Sequence, residues 1–68
     1  MDLTQEQRAV LAHVVNDVDG WVAHALATVG EKAVEDKVAR HKNAYTQAKA
    51  ALGEAYKTRA ERDAEASA

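Results

Sequence analysis

The stretch NDVDGWVAHALATVG, residues 16–30, decides how this chain folds. Its first five positions hold Asn16, Asp17, Asp19 and Gly20, residues that compete with helix hydrogen bonding or loosen the backbone. Behind them stand Trp21, Val22, Ala25, Leu26 and Val29, an apolar stripe at helical spacing. The same spacing precedes the cluster in Val10, Leu11, Val14, Val15 and Val18. The phase runs almost unbroken, so one kinked helix over residues 5–29 is the alternative reading. The cluster itself predicts a break, with Asp17 or Asp19 capping a second short helix. Gly30 then closes that helix as a left-handed residue. Upstream, Thr4 and Gln7 have the spacing of a capping box, which starts the first helix.

Downstream of Gly30 the chain turns charged and Ala-rich. Glu31, Glu35 and Asp36 crowd the first turns, where the positive end of a helix dipole favours acids. A stripe of Val34, Val38, His41, Tyr45, Ala48, Leu52 and Tyr56 follows. Val34, Tyr45 and Tyr56 lie eleven apart, a period that suits a nearly straight helix better than a left-handed coiled coil. Gly53 marks a kink or stop, and the segment from Arg59, without a large apolar residue, is expected to fray or lie on the surface. The prediction is a single all-α domain, residues 1–68. Two short N-terminal helices (or one kinked helix) over 5–29 form a small helical hairpin with one long C-terminal helix, 31–66, that is breakable near Gly53.

Composition limits how much this hairpin does alone. Of the 47% hydrophobic residues half are Ala: sixteen stand beside eight Val and four Leu, with no Phe. A single core in a chain below ~70–80 residues rarely supplies more than about 3–5 kcal/mol without a staple. Cysteine is absent, which removes disulfides and thiolate metal sites. Association with other copies or a larger assembly is the remaining route. The net charge of −2 does not demand nucleic acid or an anionic membrane. No stretch approaches the ~20 apolar residues that span a bilayer, and no basic leader precedes an apolar run. The expected location is cytoplasmic at synthesis.

Chemical motifs are scarce. Asp17-Val18-Asp19-Gly20 imitates the middle of a calcium loop, but the flanking ligand positions of an EF-hand fall on Val15 and Leu26, which cannot coordinate. His13, His24 and His41 lack ligand spacing, and the lone Ser67 and the threonines have no base partner. No glycine-rich phosphate loop occurs. The reading is no enzyme, no cofactor and no metal. The basic run Lys37, Arg40, Lys42 and Lys49 around Tyr45 is the best nucleic-acid feature, yet its charges flank the apolar stripe and do not form one face. Nucleic acid is therefore kept only as the alternative partner: a small regulator binding through residues 37–49.

The residues expected at a protein interface are Trp21, Val22, Leu26, Val34, Val38, Tyr45, Leu52 and Tyr56. Trp is enriched among interface residues whose truncation is costly. Three further features carry a family resemblance. They are Val18-Asp19-Gly20-Trp21 entering a short helix, the Lys37, His41, Lys42, Tyr45 rhythm, and the Arg59-Ala60-Glu61-Arg62-Asp63 close. Over residues 18–66 the chain resembles small proteins encoded among the structural genes of tailed bacteriophages. The resemblance implies a virion-associated or assembly role in many copies, at the tail or neck, with self-association or larger phage proteins as partners. A further alternative, ranked below these, is a transient assembly chaperone that holds a partner segment in a helical groove.

Overall fold

The computed structural model describes residues 1–67, which form four α-helices and no strand. They are α1 (Gln5–Val14), α2 (Val18–Thr28), α3 (Glu31–Leu52) and α4 (Arg59–Ala66), with a 3-10 turn at Gly53–Ala55. The start of α1 follows its predicted chemistry. The Gln7 amide donates to the Thr4 hydroxyl, and the Thr4 amide donates back to the Gln7 side chain at 2.9 Å. The 16–20 cluster breaks the chain, as its composition predicts, and Asp17 caps α2 by accepting from the Gly20 amide at 3.1 Å. That cap explains the glycine before the tryptophan. A Cβ built on Gly20 would lie 2.2 Å from the Asp17 Oδ2 atom, so the carboxylate uses space that any other residue would fill.

Gly30 differs from the expected left-handed terminus. Its φ of 88° is positive but its ψ of 170° is extended, a region essentially restricted to glycine. It serves as the N-cap of α3, and Val29 is the C-cap of α2. The sharp corner lets α2 and α3 pack together.

The core is small. Val10 and Leu11 of α1, Val22 and Ala25 of α2, and Val34 and Val38 of α3 are buried, Leu11 completely. Leu3, Val15, Val18, Trp21, Leu26 and Tyr45 pack around it, each partly exposed. Glu6 pairs with Lys42 at 3.3 Å while His13 meets Tyr45, so α1 and α3 run in the same general sense. Arg8 bonds Asp19 at 2.7 Å and ties α2 back along α1. The result is a slab of 33 × 26 × 16 Å.

The long helix over 31–66 breaks at Gly53, where a kink or stop was expected, and does not continue as one rod. It ends at Leu52, because Gly53 adopts φ 54° and ψ −123°, a conformation closed to L side chains without strain. The Tyr56 amide donates to the Gly53 carbonyl and closes the turn. A second capping box, Thr58 with Glu61, then starts α4 in a new direction. Tyr56 is therefore not on the α3 stripe; it comes back onto Tyr45 from the side.

Candidate functional site

Two surfaces stand out, built on different physics. The first is the outer side of α2. From Gly20 to Gly30 there is no Asp, Glu, Lys or Arg. A surface helix normally carries charge on its solvent side. Here that stretch carries none: Val22 and Ala25 are buried, while the solvent side is the small and uncharged set Ala23, His24, Ala27 and Thr28. Trp21 and Leu26 flank that exposed side half-buried, and Val29 is 53% exposed. Ala23 and Ala27, four residues apart, leave a low surface over which another helix can approach closely.

The second is an aromatic corner where α1 ends, α3 passes and the chain returns through the 3-10 turn. His13 Nδ1 and the Tyr56 hydroxyl share a hydrogen bond of 3.0 Å across 43 positions of sequence. The two rings stack with centroids 5.7 Å apart, and Tyr45 stands edge-on to Tyr56 at 5.7 Å. The Lys49 ammonium lies 5.2 Å from the Tyr56 ring centre, within cation–π range. Arg59 Nη1 donates to the Val14 carbonyl at 2.8 Å, and Arg62 donates to the His13 carbonyl. These are the unpaired carbonyls at the negative end of α1, where a cation is favourable. Asn16 Nδ2 donates to Asp63 Oδ2 at 2.7 Å and completes the clasp.

Electrostatics at this corner give a pH dependence. Burial lowers the His13 pKa from its ordinary 6.5, and the nearby Arg62 and His41 push it the same way. The unfolded chain therefore binds this proton more readily than the folded one. Stability is full above pH 6.5 and declines as pH falls through the folded value. Glu61 is also lowered, by the Thr58 backbone amide and hydroxyl, but from 4.5, so its loss belongs to a more acidic window. The melting temperature should fall between pH 7.5 and 5.5, and by less in His13→Gln. Equal falls in both proteins would remove His13 as the cause. Burial, with Tyr45 beside it, raises the Tyr56 pKa above 10, so the phenol stays neutral across this range.

Among the described residues no group of three His, Asp or Glu could hold a metal ion. A shallow cleft of 280 Å³ lies elsewhere, between Thr4, Gln7 and Val10 of the N-terminal segment and Glu35, Val38 and Ala39 of α3. The Glu6–Lys42 ion pair borders it. Two residues of the basic run are engaged within the chain, Lys42 by Glu6 and Lys49 by the tyrosines, while Lys37 is half-buried and Arg40 exposed.

The sequence-predicted interface residues divide by position. Val22, Val34 and Val38 are consumed by the chain's own core. Trp21 and Leu26 edge the outer side of α2. Tyr45 and Tyr56 meet in the aromatic corner, and Leu52, 52% exposed, stands alone at the end of α3. Sequence reasoning missed His13, Arg59, Arg62 and the Asn16–Asp63 bond. Thr58 and Glu61, spaced like Thr4 and Gln7, were the available signal for the helix that delivers them. No family model, curated protein or solved structure matches the chain.

Proposed function

We propose that this chain is a non-enzymatic structural or assembly protein that acts by helical packing in a multi-copy complex. The uncharged outer side of α2 carries the reading. It is the one helical face from which charge is missing over eleven consecutive residues, Gly20 to Gly30, while both flanking helices are charged. Shape supports it. The accessible surface is 4701 Å², against about 4,200 Å² for a monomer of this 7.3 kDa mass. The radius of gyration is 12.5 Å, against roughly 11 Å for a compact domain of this length. Burying ~800 Å² per partner, a standard interface, takes only about a sixth of this surface. The resemblance of residues 18–66 supports a tailed-phage virion, at tail or neck, as the complex.

The preferred occupant of the α2 face is α2 of a second copy, because a low, symmetric Ala23/Ala27 surface complements itself under a two-fold axis. Ala27→Lys tests it. Position 27 is exposed and in the last turn of α2, where a cation is tolerated, so the monomer keeps its helicity. The wild type should sediment with concentration-dependent mass and the variant as a 7.3 kDa monomer with unchanged far-UV dichroism. Identical sedimentation of the two would remove α2 from the interface.

A further inference from the structure

The segment after Gly53 is held unlike any other part of the molecule. No residue of the 3-10 turn or of α4 is buried. Its attachments converge on one small target: hydrogen bonds to the His13 ring and carbonyl, the Val14 carbonyl and the Asn16 amide at the end of α1, with the Tyr56 ring stacked on His13 and edge-on to Tyr45 of α3. Every copy of the chain presents that same target. The covalent restraint is one glycine turn followed by three non-helical residues, 56–58. Ion pairs within the segment, Lys57 with Glu65 and Arg59 with Asp63, and its own capping box are local to it and travel with it to any docking position.

From this we infer that α4 is an exchangeable arm, which docks on the α1 terminus of a second copy with the same bonds that it makes at home. The bonds gained and lost are identical, so the home position is favoured only by tethering. A short linker gives an effective concentration on the order of millimolar. In dilute solution the arm stays on its own chain. Where copies are held side by side, neighbours compete on equal terms and the arms link successive subunits. This contact uses the end of α1, Tyr45 of α3 and the segment from Tyr56 through α4, leaves the outer side of α2 free, and does not depend on the α2 interface.

The absence of cysteine makes a clean test possible. Asn16→Cys and Asp63→Cys, made in separate chains, are mixed and treated with a short thiol–thiol cross-linker. The mixed 16–63 dimer should exceed both like-with-like dimers, rise with protein concentration, and vanish when Arg59→Ala and Arg62→Ala are added. Products in random proportion at every concentration, or indifference to the two arginines, would overturn the exchange. In the double variant, with both cysteines in one chain, the link should form within the monomer at high dilution; its absence would show that the arm does not dock there and would end the proposal. The mixed dimer should persist in Ala27→Lys at high concentration, so failure of arm exchange and failure of α2 packing are read separately.

Discussion

Leu11→Ala should leave the chain largely unfolded at room temperature. Leu11 is fully buried at the meeting of all three core helices, and its side chain is the largest of those completely enclosed. Leu→Ala at such a site costs about 2–5 kcal/mol, from lost transfer energy and the cavity left behind. A scaffold of this size has only about 3–5 kcal/mol to lose. With six buried residues, none of them aromatic, no neighbour is bulky enough to refill the space. Leu52→Ala is the matched control: the same atoms are removed from a half-exposed position, and the cost should stay below about 1 kcal/mol. Thermal melts followed by far-UV dichroism decide the matter. A cooperative Leu11→Ala transition within a few degrees of the wild type would show that the core lies elsewhere.

Gly53→Ala is expected to change the shape of the molecule more than its helicity. An L side chain at φ 54°, ψ −123° costs on the order of 1–3 kcal/mol. Nothing lies within 4 Å of the added Cβ, so the penalty is purely conformational. It is relieved if α3 runs on through the following residues, which are rich in Ala, Glu, Lys and Arg, good helix formers. A continuous helix over 31–66 would be ~54 Å long, against a present longest dimension of 33 Å. Small-angle scattering should register the increase, while far-UV dichroism holds steady or rises. The pH dependence that comes from His13 should weaken at the same time, because the segment that covers its ring and brings the Arg62 charge near it moves away. An unchanged radius of gyration would mean that the turn tolerates the methyl group and that the glycine is not the hinge.

Much of the N-terminal half was legible because its determinants are local. Thr4 with Gln7 and Asp17 with the Gly20 amide are bonds over three residues, written directly in the spacing. The buried set Val10, Leu11, Val22, Val34 and Val38 falls on the stripes that helical periodicity marks. In the C-terminal third the kink or stop was legible at Gly53, but Tyr56 was placed on the stripe of Val34 and Tyr45 because the three are evenly spaced. Helix content was right there and direction was not. Direction depends on the sign of φ at Gly53, which composition does not encode, and on bonds between residues 45 to 49 positions apart, such as Arg59 to Val14 and Arg62 to His13. The aromatic corner was out of reach for the same reason, since His13 and Tyr56 become neighbours only after the chain reverses.

A body only 16 Å through its thinnest direction has hardly any depth. Each buried side chain lies one residue's width from water on both broad sides, so no inner layer survives when an outer one loosens. Opening any of the three central helices drains the whole interior at once. Backbone amides in such a molecule share one ceiling of protection against solvent deuterium, and a neighbour laid across a broad face would raise that ceiling for all of them together.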